Sequence, residues 1–321
     1  MFRELVSRET LTYAGSGCQA GEDVVRAGTR TPAAILDEGR TVEPERISAH
    51  PPATAAGNWI RRGCRAFFRE RRFPTRAAIA LDRFWIAIGC RLKAIRADGL
   101  NIQVRRLTSD EHFVREVIIN REYNPSGFEI QDADVIVDIG GNVGSFTLLA
   151  AKQAPHGTVI TLEPVGDSFR LLQKNLVRNR CSNVIPLRAA LLAENRRAVI
   201  YLSPQGTGRH SVYPELAAET ERCEHVDGID LEELFRRYHV TRCHFLKLDC
   251  EGAEFEVIER LSPELAERID KLVIEYHTLS TESKRTQADR LIESLQQLGF
   301  RVVRYTDVVG TYWGMIYAKR R

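Results

Sequence analysis

The stretch "VIVDIGGNVGSF", residues 135–146, decides how this chain reads. Its first five positions hold four branched apolar residues, and Gly140, Gly141 and Gly144 follow before the run "SFTLLAAKQA" takes on a helical pattern. Glycine reaches backbone conformations with φ > 0 and leaves the main chain bare for close approach. A helix start adds unpaired N–H groups with a partial positive charge. The pattern predicts a buried strand, a tight turn and a helix, with a ligand seated against the turn.

Outward from this turn, strands and helices alternate. "TVITLE" (158–163) reads as the next strand, and "SFRLLQKNLVRN" as a helix with Phe169, Leu172 and Leu176 at helical spacing. "NVIPLRAAL" reads as a third strand and "AVIYLS" (198–203) as an added edge strand. "GIDLEELFRRY" is helical, "CHFLKLD" (243–249) a strand, "GAEFEVIERL" a helix, "KLVIEYH" (271–277) a strand and 284–298 a helix. "FRVVRY" and "YWGMIYAK" close the chain as an antiparallel pair. Such alternation predicts an α/β fold with a doubly wound, mostly parallel sheet, whose ligands sit beyond the carboxyl ends of the strands.

Glu163, at the end of the second strand and 19 residues past Gly144, is placed to hold both hydroxyls of a ribose. The dinucleotide pattern G-x-G-x-x-G fits poorly, because its third position here is Asn142. Asp138 lies inside the strand, two residues before the first glycine. A carboxylate there disfavours a pyrophosphate and suits a cationic cofactor. S-adenosylmethionine has an adenosine, a sulfonium and an amino-acid end, and no phosphate. A purely structural turn is the plainer alternative.

The segments "VIVDIGGNVGSFTLLAAK", "VITLEP", "LKLDCEGAEFEVIE" and "LVIEYH" resemble the FkbM family of S-adenosylmethionine-dependent methyltransferases, over about 110 to 318. The resemblance implies a class I methyltransferase (Rossmann-like) fold, a seven-stranded sheet with an antiparallel last strand. It also implies O-methylation of a sugar, glycolipid or other natural-product hydroxyl. By the same resemblance the cofactor contacts fall on Asp138, Gly140, Asn142, Gly144 and Glu163, with Gly141 where the family often has alanine.

Methyl transfer needs an aligned acceptor oxygen and a group to take its proton. Asp249, Glu251 and Glu254 in "DCEGAE" crowd the strand end beside the glycine turn. Asp249 is the first candidate base, or lines the methionine end of the cofactor. Glu251 either joins it or caps the next helix, and capping is the expected role of Glu254. Asp249 and Glu251 are also a pair able to hold Mg²⁺. His277 ends its strand two residues after Glu275, on the same face, as an alternative base or a hydrogen-bonded strand end. His210 and Ser211 lie in "GTGRHSVY", a candidate lid or a simple connection.

Charge divides the 321-residue chain. Residues 1–57 hold 6 Lys/Arg and 8 Asp/Glu (−2), 58–96 hold 11 and 2 (+9), and 97–321 hold 29 and 33 (−4). Residues 1–57 are expected to be a disordered tail, 58–100 a basic helical extension split at Pro74, and 101–321 the methyltransferase domain. Trp59, Phe67, Phe68, Phe84, Trp85 and Ile88 sit among the arginines of the extension, as a peripheral membrane contact or as a helical cap with a solvated basic face. The acidic core, and the absence of a base-methylase motif after "KLD", argue against a nucleic-acid methyltransferase. An NAD-dependent oxidoreductase and a non-catalytic binding domain on the same fold are further alternatives. The acceptor is expected to be a small molecule or glycan. Seven cysteines without a C-x-x-C pair and no signal-like apolar run suggest a cytoplasmic protein.

Overall fold

Central strands of a parallel sheet are covered on both faces, so they read as unbroken apolar runs rather than alternating ones. The computed structural model describes residues 76–204, 207–217, 220–278, 284–307 and 313–320, and shows this arrangement around "VIVDI". The tail expected over 1–57 and the basic helix expected before Pro74 lie outside the described residues. From Asp82 onward the described residues belong to one compact unit.

Helix α1 (Arg76–Ala87) leads into a hairpin, β1 (Leu92–Ala97) and β2 (Leu100–Arg105). The expectation of helix up to residue 100 is thus corrected: 92–97 is a strand, and the hairpin crosses the boundary placed at 100/101. Its two-residue turn is Asp98-Gly99, with φ of 48° and 72°. An Asp-Gly pair favours that turn because both positions need φ > 0. Helix α2 (Asp110–Val114) runs into a π turn at Arg115–Ile119.

The doubly wound part then unfolds in order: β3 (Val135–Ile139), α3 (Ser145–Gln153), β4 (Thr158–Leu162), α4 (Gly166–Arg178) and β5 (Val184–Leu187). A small sheet follows, β6 (Ala190–Leu191), β7 (Arg197–Tyr201) and β8 (Cys223–Ile229), in the order β6-β8-β7. Then come α5 (Leu231–Arg237), β9 (Phe245–Leu248), α6 (Glu254–Glu259), α7 (Pro263–Ala266), β10 (Lys271–His277), α8 (Lys284–Gln297), β11 (Phe300–Asp307) and β12 (Trp313–Arg320). The run 198–203, expected at an edge of the main sheet, belongs instead to the small sheet. Its partner β8 escaped notice because "CEHVDGI" buries only Val226 and Ile229 and otherwise reads as polar loop.

The main sheet has seven strands in the order β11-β12-β10-β9-β3-β4-β5. Strands β5, β4, β3, β9 and β10 pair in parallel, and β12 runs antiparallel to both β10 and β11. This is the class I methyltransferase arrangement. One face carries α5, α6, α7 and α8, with Phe235, Val257, Leu265, Leu291 and Leu295 in the core. The other carries α3, α4 and the β1–β2 hairpin, with Leu148, Leu172, Ile102 and Val104. The winding direction reverses between β3 and β9, so a crevice opens at their carboxyl ends. Among the described residues no helix is long and apolar enough to cross a membrane. Cys90, Cys181, Cys243 and Cys250 are free thiols, whereas Cys223 is disulfide-bonded.

Candidate active site

Three glycines follow β3 because the protein itself comes close there. A Cβ on Gly140 would lie 2.0 Å from the Asp249 carbonyl oxygen, and one on Gly141 2.4 Å from the Thr161 hydroxyl. Gly140 and Gly144 also adopt φ of 78° and 94°. Strand β4 completes the turn, since the N–H groups of Gly140 and Gly141 both donate to the Leu162 carbonyl, at 3.0 and 2.9 Å. The close approach that the sequence suggested is therefore met first by neighbouring strands, and the ligand space begins beyond them.

That space is a cleft over the carboxyl ends of β3, β4 and β9. Gly140, Asn142 and Glu163 form one wall, Asp249, Cys250 and Glu251 another, and Leu162, Val165, Leu191 and Ile200 give it an apolar part. Glu163 is 5% exposed. Its Oε2 accepts from the Asn142 N–H and its Oε1 from the Val165 N–H, both at 2.8 Å. Burial pushes its carboxyl up to about 7, against the pull of these two amides and of Arg105 and Lys247. Asn142, at φ 47°, is fixed by Arg105, whose guanidinium donates to Asn142 Oδ1 at 3.1 Å and grips Asp110 with two nitrogens.

Asp138, Gly141 and Gly144 do not line the cleft. Asp138 is fully buried, and its Oδ2 accepts from the Thr147 hydroxyl at 2.6 Å. The ammonium it faces belongs to the chain: Lys247 Nζ lies 3.2 Å from Asp138 Oδ1. Lys247 is only 2% exposed. It donates to the carbonyls of Ile139 and Gly140 at 2.9 and 3.0 Å, lies 3.4 Å from Asp249 Oδ2, and sits 4.8 Å from the centre of the Tyr123 ring.

The opposite wall is an acidic cluster. The "DCEGAE" segment turns sharply through Glu251 and Gly252, with φ of 53° and 111°. Glu254, fully buried, closes that turn by accepting from the N–H groups of Cys250 and Gly252 at 2.8 and 2.9 Å. Glu254 stands in the first turn of α6, as expected, but its carboxylate ties the turn before the helix and does not cap the helix's own N–H groups. Glu251 is left facing the cleft beside Asp249. Tyr123 donates its hydroxyl proton between Glu275 Oε2, at 2.5 Å, and Asp249 Oδ2, at 3.0 Å. His277 lies behind this wall, among Glu254 (3.3 Å), Glu251 (3.5 Å) and Glu275 (3.6 Å).

These neighbours set the charges. Burial raises Asp249 to about 6, although Lys247 opposes the rise. Burial also pushes Glu251 well up. For His277, burial favours the neutral ring, but Glu251, Glu254 and Glu275 outweigh it and hold the imidazole well above its ordinary value. His277 is therefore an imidazolium at neutral pH and sits off the cleft wall. Both facts correct the expectation of His277 as a base near neutral pKa. Asp249, Glu251 and His277 each offer one donor atom within 4.8 Å of the others, close enough to converge on a single cation.

The loop after β7 borders the cleft through Thr207, Gly208, His210 and Val212. Thr207 is tied to Asp110 at 2.6 Å, and the Ser211 hydroxyl donates to the Glu251 carbonyl. His210 Nδ1 accepts from the Ser203 N–H at 3.0 Å, and burial pushes its pKa down to about 4, so it is neutral. No Lys or Arg lines the cleft among the described residues. Lys247, Tyr123, Arg105 and Glu275 do most to fix the wall carboxylates and the turn. Of these, only Glu275 drew notice in the sequence. A lone lysine inside the apolar strand "FLKL" was a usable signal for a buried ion pair, because an uncompensated charge would not be tolerated there.

Comparison with known proteins agrees with this geometry. The family described as "Methyltransferase FkbM domain" matches residues 138–302. "Methyltransferase 1" of Beauveria bassiana is 28% identical over 184 residues, 51% of this chain and 72% of that protein. The 31-O-demethyl-FK506 methyltransferase FkbM of Streptomyces tacrolimicus is 26% identical over 236 residues, 64% of this chain and 88% of that protein. The hexuronic acid methyltransferase AglP of Haloferax volcanii is 29% identical over 150 residues, 46% of this chain and 58% of that protein. With half its length matched to the family and the seven-stranded order in place, the chain belongs to the FkbM family of S-adenosylmethionine-dependent methyltransferases.

Proposed function

We propose that this protein transfers a methyl group to a hydroxyl of a small molecule or glycan, with Asp249 as the general base. The carrying observation is the composition of the cleft: an apolar part, Glu163 beside the glycine turn, and Asp249 with Glu251 opposite, with no cationic side chain among the described lining residues. These groups fit an adenosine joined to a positively charged sulfonium and an amino-acid end. They fit a pyrophosphate badly, which disfavours the oxidoreductase alternative.

Bound S-adenosylmethionine supplies a methyl carbon already activated by its sulfonium. Each Glu163 oxygen spends one lone pair on a backbone amide and has another left for a ribose hydroxyl. Leu162, Val165 and Leu191 receive the flat apolar base. Asp249, ionised above about pH 6, accepts the proton of the acceptor hydroxyl as the oxygen attacks. Lys247 and Tyr123 hold that carboxylate in place, and the imidazolium of His277 offsets the charge of Glu275 behind it. The loop through Thr207, His210 and Val212 covers the cleft and limits water.

Magnesium is a weaker fit than a proton to the acidic wall. Mg²⁺ prefers an octahedral shell of oxygens, and here an imidazole is one of three donors. The proposed mechanism uses His277 in its protonated form. The relatives named for a 31-O-demethyl substrate and for a hexuronic acid support a hydroxylated acceptor. The excess of carboxylates at this wall favours a neutral one.

Calorimetric titration with S-adenosylmethionine, its demethylated product and NADH tests the cofactor. The first two are expected to bind, and Glu163→Gln to weaken both by about tenfold, the loss of one or two hydrogen bonds. Tight NADH binding, or no binding of the sulfonium ligand, would remove the proposal. A library of hydroxylated acceptors with labelled methyl then tests the O-direction. Transfer only to nitrogen or carbon acceptors would refute it.

A further inference from the structure

Helix α1 is inside out. Its only buried residue is an aspartate, Asp82, whose carboxylate is held by Lys93 at 3.1 Å and by Arg106. Two cations outweigh the burial cost and keep that carboxyl below its usual range. Phe84 and Ile88 point the other way, and Trp85, one turn on from Asp82, stands at the edge between the two sides. Phe84 is 56% exposed, Trp85 36% and Ile88 55%. An ordinary surface helix buries its apolar stripe and shows its charges to water. Here Asp82 is the anchor, and the ring of Trp85 is steadied from behind by the Arg106 guanidinium, 5.7 Å from its centre.

Positions 84, 85 and 88 share one side of a helix of 3.6 residues per turn. Exposed arginines flank them, Arg83 on the helix and Arg91 and Arg96 just after it. Aromatic and branched side chains rimmed by arginine match the chemistry of an anionic bilayer surface, where rings enter the headgroup boundary and guanidinium groups meet lipid phosphates. The sequence on either side of this helix strengthens the match, since residues 58–96 carry 11 basic and 2 acidic residues, a net +9. We propose that α1 docks this protein peripherally on an anionic membrane through Phe84, Trp85 and Ile88, with Arg83 and Arg91 pairing to lipid phosphates. The occupant is a lipid surface, not a second copy or another protein. The inference stands on the helix alone and is independent of the acceptor.

The test uses the full chain in sedimentation with vesicles of phosphatidylcholine, with and without phosphatidylglycerol. Binding is expected only with the anionic lipid, with Trp fluorescence shifting to the blue and affinity falling as salt rises. The triple variant Phe84→Ser, Trp85→Ser, Ile88→Ser is expected to bind at least about tenfold more weakly. The pair Arg83→Glu, Arg91→Glu should also weaken binding by at least about tenfold, through two lost lipid contacts and two repulsive ones. Circular dichroism and the melting temperature report whether each variant keeps its fold. If the triple variant unfolds, the single change Trp85→Phe replaces it, and loss of the blue shift is then the expected result. No binding to anionic vesicles overturns the proposal. So does binding that the triple variant leaves unchanged, or light scattering that shows the stripe forming a dimer in place of lipid binding.

Discussion

On one wall of the cleft Glu163 is held by two backbone amides, while on the other Asp249 is held by the hydroxyl of Tyr123 and the ammonium of Lys247. The first wall is made of main chain. Its turn follows from where glycine stands in the sequence, and its amide donors are main-chain groups of Asn142, within that turn, and of Val165, just after β4. The second wall is made of side chains brought from separate segments, and its charges depend on all of them together. The difference teaches which parts of a site can be changed singly. A main-chain wall fails when the turn cannot form, whereas a side-chain wall fails by degrees as each charge loses its partner.

The sharpest way to break this contrast is Lys247→Met, which leaves Asp138 buried without its cation. Denaturant unfolding should register a loss of about 3–5 kcal/mol, the usual cost of stranding one half of a buried pair. A change below about 1 kcal/mol would mean that the two walls do not share this ammonium. Next in size is Asp249→Asn. It should lower the turnover of any accepted hydroxyl by about 10²–10⁴ while the cofactor still binds, as single-turnover assays with labelled methyl would show. Equal loss of cofactor binding would assign Asp249 to the other wall. Gly140→Ala probes the main-chain wall. A Cβ 2.0 Å from the Asp249 carbonyl at φ 78° should cost about 1–3 kcal/mol in thermal unfolding. An unaltered melting temperature would show that the turn can shift.

A further test is in pH. Glu163 and Asp249 titrate at about 7 and about 6 in the folded chain, against 4.5 and 3.8 as ordinary values. Between these limits the folded protein binds more protons than the unfolded one, so the ligand-free protein loses stability as pH rises from about 4 through about 7. Glu163→Gln should flatten the upper part of that slope in melts taken at a series of pH values. A slope that Glu163→Gln leaves unchanged would contradict the Glu163 assignment. Turnover should run the other way, rising with pH as Asp249 ionises.

The main sheet was legible because β3, β4, β9 and β10 are continuous apolar runs bounded by turn residues. The small sheet was not, because Cys223–Ile229 mixes polar and apolar positions and pairs with a strand more than 20 residues away. The hairpin at Asp98-Gly99 carried a readable turn signal that the surrounding arginines obscured. At the site, Gly140, Asn142, Glu163, Asp249 and Glu251 line the cleft. The charge on His277 was not legible, since it is set by three carboxylates, two of them from the "DCEGAE" turn, which only the fold brings around the ring. Asp138 was read as meeting a cationic ligand. In the structure it meets a lysine from the neighbouring strand, whose partnership depends on register, Asp138 lying opposite Lys247.

Lys247 spans the seam between β3 and β9, gripping the carbonyls of Ile139 and Gly140 on one side and reaching Asp249 on the other. Adjacent strands keep a spacing of about 4.8 Å. A lysine stem bridging that spacing ties the glycine turn to Asp249, the proposed base. In the proposed reaction the separation of the two walls is then inherited from the spacing of adjacent strands. Loops around the cleft are then free to be recut for new acceptors without resetting the distance over which a methyl group must travel.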